Sequence, residues 1–169
     1  MSDPRGLDPQ GNPREITVNA LGDQLVAGRV YEFHTRIPGI GTGAVYASGE
    51  AFGTSFVISG LPVSGTISNV LFMDLDDEGK AKELVLFRNP FTATADNNAF
   101  NVSDGDLKNL VGVVNITTFF NFNSNQAGIA TPALSYFSAD GRLYAQLVTR
   151  GTDNIAAGSI PEVTITVVE

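Results

Sequence analysis

The chain has 169 residues, 43% of them hydrophobic and 17% charged; one domain of this length buries roughly 68–70% of its unfolded surface, and the composition excludes an intrinsically disordered chain. Lys and Arg number 10 against 18 Asp and Glu, a net charge of −8, which repels phosphate backbones and anionic lipid surfaces, so nucleic acid is not an expected partner. With no Cys, disulfide frameworks, thiolate metal sites and thiol redox chemistry are excluded, and the fold suits a reducing cytosol without being confined to it.

Residues 1–14 (MSDPRGLDPQGNPR) hold Pro4, Pro9 and Pro13, and Leu7 is their one large aliphatic side chain beyond Met1. Such a stretch predicts an extended arm lying on a surface and contributing little to a core. It has no apolar h-region, and no window of the chain approaches 18 continuous apolar residues, so neither a signal peptide nor a membrane span is expected.

From Glu15 the text predicts strands. EITVNAL is the first, and in RVYEFHTRI the apolar Tyr31, Phe33 and Ile37 alternate with Glu32, His34 and Arg36, one face buried and one wet. His34, the only histidine, therefore falls on the solvent side. With no Cys and no G-x-S-x-G elbow in the chain, it has no nucleophile to serve.

Residues 38–49 (PGIGTGAVYASG) form a Gly-rich connection read as a mobile loop. Gly39-Ile-Gly41-Thr-Gly43 fits neither G-x-G-x-x-G nor the P-loop pattern, and no Lys or Arg follows Arg36 until Lys80. Two strands come next, EAFGTSFVISGL and GTISNVLFMDL, divided at Leu61-Pro62. The second is expected to form a hairpin with KELVLF through the Asp76 to Lys80 turn.

Asp74-Leu-Asp76-Asp77-Glu78-Gly79 opens like a calcium loop, but the twelfth position, where an EF-hand needs a bidentate Glu, is Val85. The reading is a charged hairpin turn, with a weak surface calcium site as the alternative. Residues 89–109 are polar and turn-rich, and Ser103 three residues before Asp106 predicts one or two helical turns.

LVGVVNITTF reads as a buried strand, SYFSADGRLYAQLVTR as a hairpin on Asp140-Gly141, and EVTITVVE as a final strand. Asn101-Val-Ser103 and Asn115-Ile-Thr117 match the glycosylation pattern by chance in a chain with no signal peptide. The 11 Phe fall mostly in strand runs and are expected in the core. About eight strands without a βαβ rhythm predict one all-β domain over residues 15–169, an antiparallel β-sandwich or jelly roll with at most one short helix. No cofactor, metal site or catalytic residue is assigned, and the chain is read as not an enzyme.

Asp96-Asn97 with Ala99-Phe100, Ser103-Asp104 with Asp106-Leu107, Val111-Gly112-Val113, and Leu147-Val148-Thr149-Arg150-Gly151-Thr152 together resemble small virion structural proteins of tailed bacteriophages, the head decoration proteins. The similarity extends over roughly residues 65–169. It implies an oligomeric β-sandwich, a trimer favoured, that sits on the outer surface of an assembled capsid and cements neighbouring units. The implied partner is the major capsid protein, and the implied place is the virion, after synthesis in the host cytoplasm. No site residue carries over from the resemblance. The arm supplies the expected contacts instead: Arg5, Leu7 and Arg14. A reading from another class is a head-fibre or tail-knob β module that binds a receptor or glycan through residues 38–49 or 121–132.

Overall fold

The computed structural model describes residues 5–7, 13–15, 28–41, 43 and 45–169. Arg5–Leu7 (β1) and Pro13–Glu15 (β2) form a short antiparallel ladder of their own. Two segments of the region expected as an arm over 1–14 thus pair with one another, β2 ending at Glu15. Of the expected strand EITVNAL, all but Glu15 lies outside the described residues.

The remaining strands are β3 (Val30–Arg36), β4 (Ala51–Ser59), β5 (Ser64–Asp74), β6 (Lys82–Phe87), β7 (Leu110–Ile116), β8 (Thr118–Asn121), β9 (Gln126–Ala130), β10 (Leu134–Phe137), β11 (Arg142–Thr149) and β12 (Glu162–Val168). They make an antiparallel sandwich. The six-stranded sheet runs β3-β12-β5-β9-β8, with β10 also on β5, and the four-stranded sheet runs β4-β11-β6-β7.

Alternation drives this arrangement. In β12, Val163, Ile165 and Val167 are buried while Thr164 and Thr166 are half-buried, the period-2 signature of a strand with one core face. In β5 the buried set changes phase between Ile67 and Val70. The ladder shifts there, Thr166 facing Asn69 and Val167 facing Ile67, so a bulge at Ser68 keeps both residues in the core.

The four-stranded sheet is covered on both faces, which is why β6 and β11 read as nearly continuous apolar runs. Leu84, Leu86, Leu143, Ala145 and Leu147 face the other sheet in the main core. Val85, Phe87 and Val148 point the opposite way, into a second cluster with Phe91, Phe100, Val102, Leu110 and Tyr144. That outer cover comes from the connection between β6 and β7. The Phe91 ring stacks on Phe87 at 4.2 Å between centroids. A single helical turn, α1 (Asp104–Leu107), is capped by Ser103, whose hydroxyl accepts from the Asp106 amide at 3.0 Å.

Both expected hairpins are corrected. Strands β5 and β6 belong to different sheets, as do β10 and β11; the DDEGK and Asp140-Gly141 turns carry the chain from one sheet to the other. Packed sheets lie about 10 Å apart, against about 4.8 Å between paired strands, and residues 75–81 span that gap. The turns reverse the chain as expected, with Asp77, Gly79 and Gly141 at positive φ, but strand partners come from the far side of the sequence. A true hairpin joins β8 and β9, Asn121 facing Gln126, within residues 121–132, which the alternative receptor- or glycan-binding reading uses as a loop.

Candidate functional site

Four places hold polar or apolar groups that a fold alone does not require, beginning with the loop clasp. Asp96 accepts from the Gly41 amide at 2.9 Å, from the Gly53 amide at 2.7 Å and from the Tyr46 hydroxyl at 2.9 Å. The glycine-rich connection expected to be mobile is therefore tied to the β6–β7 cover by one carboxylate. Burial, followed by the hydrogen bond to Asp96, raises the Tyr46 pKa well above the usual phenol range. Gly53 is required here: its φ is +76°, and a Cβ would stand 2.6 Å from the Pro38 carbonyl oxygen.

The acidic turn comes second. Asp74, buried at the end of β5, accepts from the Asp76 amide at 3.1 Å and the Gly79 amide at 2.8 Å. Asp76 accepts from the Ala156 amide at 2.5 Å, and Asp77 from Asn121 Nδ2 at 2.8 Å and from Gln126 Nε2. These carboxylates serve as turn acceptors in the manner of Asx turns, and Val85, at the twelfth place of the calcium pattern, is buried in β6. Among the described residues, no group of three or more His, Asp or Glu is placed to hold a metal ion.

The third place is a buried ion pair that the sequence reading missed. Lys82 Nζ lies 2.7 Å from Asp153 Oδ1, and both side chains are 1% exposed. Lys82 is in phase with Leu84 and Leu86, so the strand turns it into the space between the sheets. Nζ sits 4.9 Å from the Phe52 ring centroid and 5.4 Å from that of Phe72, one ring from each sheet. It also donates to the Lys80 carbonyl at 2.8 Å, and the Thr149 hydroxyl donates to Asp153 Oδ2. Burial lowers the Lys82 pKa, against the pull of Asp153. The available signal was periodicity: K-E-L-V-L-F places a lysine on the same face as two inward leucines.

The fourth is the outer face of the β8–β9 hairpin. Phe120 and Phe122 are 51% and 63% exposed, against the expectation that Phe lies in the core. Thr118 pairs with Ile129 and Phe120 with Ala127, so exposed Ile129 shares the outward face of Phe120. Phe119 points the other way and meets Phe72 edge-on at 6.5 Å. Gly128 allows this, since a Cβ there would lie 2.8 Å from the Phe119 ring.

His34 is on the surface, as expected, with Nδ1 3.0 Å from Thr164 Oγ1 and Nε2 3.3 Å from Glu162 Oε2. Arg36 shares Glu162 at 3.5 Å. For Arg5, Leu7 and Arg14 the backbone alone is described: Arg5 pairs with Glu15, Gly6 with Arg14 and Leu7 with Pro13. The two arginines are thereby placed on the same short ladder. Compared with known proteins, the chain matches no family model and no curated protein.

Proposed function

We propose that the chain is a structural protein of a tailed-bacteriophage virion, a decoration or cement protein that binds the outer surface of the assembled head and stabilises it. One observation supports the reading: several of the residues that bear the resemblance do specific structural work. Asp96 clasps the 38–49 connection, Ser103 and Asp106 cap α1, and Thr149 holds Asp153. Gly112 admits Leu134, whose Cδ1 would stand 2.9 Å from a Cβ at that position.

The mechanism is burial between subunits. Each copy binds the major capsid protein through its arm, with Arg5, Leu7 and Arg14 as anchors, and copies associate with one another, a trimer being favoured. The exposed strip of Phe120, Phe122 and Ile129 adds apolar contact area. Binding to the assembled shell alone shifts its equilibrium toward the intact state by mass action. The net charge of −8 suits a surface turned away from packaged DNA. The virion exterior is the place of action and the host cytoplasm the place of synthesis; the reading needs no cofactor, no nucleic acid, no membrane and no catalysis.

Heating particles with and without the protein tests this. Genome release is expected at a higher temperature when the protein is bound; equal release temperatures would remove the cement role. Hits on a glycan array with no retention on capsids would instead assign a head-fibre or tail-knob module.

A further inference from the structure

We propose that Lys82 and Asp153 close an intramolecular amide bond inside the folded sandwich, Nζ of the lysine joining Cγ of the aspartate. The groups are already in contact at 2.7 Å, each 1% exposed, between the rings of Phe52 and Phe72. Holding two reactants in one orientation replaces a bimolecular encounter by a unimolecular step. Exclusion of water removes the solvent that otherwise stabilises the ions and drives hydrolysis of the product.

The step balances without any further reagent. A proton passes from Nζ to the Asp153 carboxylate, giving an amine and a carboxylic acid, a transfer that burial of the lysine favours. The amine lone pair attacks Cγ, the N–C bond forms, and the carbonyl electron pair moves onto oxygen. The Thr149 hydroxyl, which donates to Oδ2, stabilises the charge that develops there. The intermediate collapses with cleavage of the other C–O bond, and the departing hydroxyl leaves as water with a proton from nitrogen. The Lys80 carbonyl, 2.8 Å from Nζ, orients the amine.

The product joins the start of β6 to the segment after β11, 71 residues apart in sequence. Lys82 and Thr149 are already ladder partners, so the bond forms within an existing strand pair. The reading is independent of the capsid role.

Denaturing intact-mass measurement on the purified full chain is the test, because it reads the bond whether or not a variant folds. The expected mass is that of the sequence less one water, allowing for removal of the initiator methionine. A tryptic digest should then join residues 81–88 to residues 151–169. Lys82→Met and Asp153→Ala should each restore the full mass. Full sequence mass in the wild type after prolonged incubation at neutral pH would overturn the proposal and leave a non-covalent pair. So would a water loss that persists in Lys82→Met, which would belong to a succinimide at Asp104-Gly105 or Asp140-Gly141.

Discussion

The Tyr46 hydroxyl donates to the Asp96 carboxylate at 2.9 Å across 50 residues of sequence, and the same carboxylate takes the amides of Gly41 and Gly53. One side chain thereby holds a glycine-rich connection, a bulged strand and the outer cover in register. Asp96→Ala leaves three donors without their acceptor, and a buried donor so orphaned costs about 1–3 kcal/mol. The variant should lose on the order of 3 kcal/mol in urea unfolding, whereas Asp104→Ala, at an exposed position of α1, should change little.

Alkaline pH should destabilise the fold through its tyrosines. Burial, then the negative charge of Glu169, pushes the Tyr136 pKa up to about 12 from 10.0, and Tyr46 is shifted in the same direction. Between these values the unfolded chain releases protons that the native state keeps, so stability falls as pH rises. This contribution is complete below pH 10 and is lost through about pH 12. Denaturant midpoints across that range should decline, and Tyr136→Phe should flatten the decline.

Gly53→Ala should be severe for a single methyl group. The position combines φ +76° with a Cβ contact of 2.6 Å to the Pro38 carbonyl, and strain of this kind costs about 1–3 kcal/mol before the clash is relieved. Gly43→Ala shares the positive φ but meets nothing within 4 Å. A melting temperature that falls clearly further for the first variant than for the second would separate clash from backbone preference.

Removing residues 1–14 should weaken capsid binding while leaving the sandwich folded, since among the described residues both main sheets are built from strands at residue 30 and beyond. Phe120→Ser with Phe122→Ser should lower binding without loss of stability, because both side chains are exposed. Cosedimentation with particles reads both effects. Undiminished binding by the truncated chain would remove Arg5, Leu7 and Arg14 as anchors.

Most strands were legible, although the run LVGVVNITTF, read as one strand, divides at Thr117 into β7 and β8, which lie in different sheets. Alternation located β3 and β12, short apolar runs located β4, β6, β7 and β11, and Ser103 with Asp106 located α1 within a residue. Pairing was not legible, because DDEGK and Asp140-Gly141 specify a reversal of direction and contain nothing about which strand lies beside the next. Strand β9 (QAGIA) escaped because Ala and Gly make a weak strand pattern; its place is set by packing, Gly128 yielding to Phe119. Lys82 and Asp153 escaped for a related reason. They are far apart in sequence, and a charged residue within a strand reads as solvent-facing until both of its covering sheets are known.

The central position of β12 has a consequence for how the protein is made. Strand β12 lies between β3 and β5, Glu162 facing both Arg36 and Met73, so the larger sheet cannot close until that strand has left the ribosome. Partners so distant in sequence also imply slow folding, in the millisecond-to-second class typical of β-sandwiches. Until then β3 and β5 expose unpaired edges to other nascent chains, and a product cut short before residue 162 has no route to the native sheet. Assembly is thereby restricted to chains that carry β12.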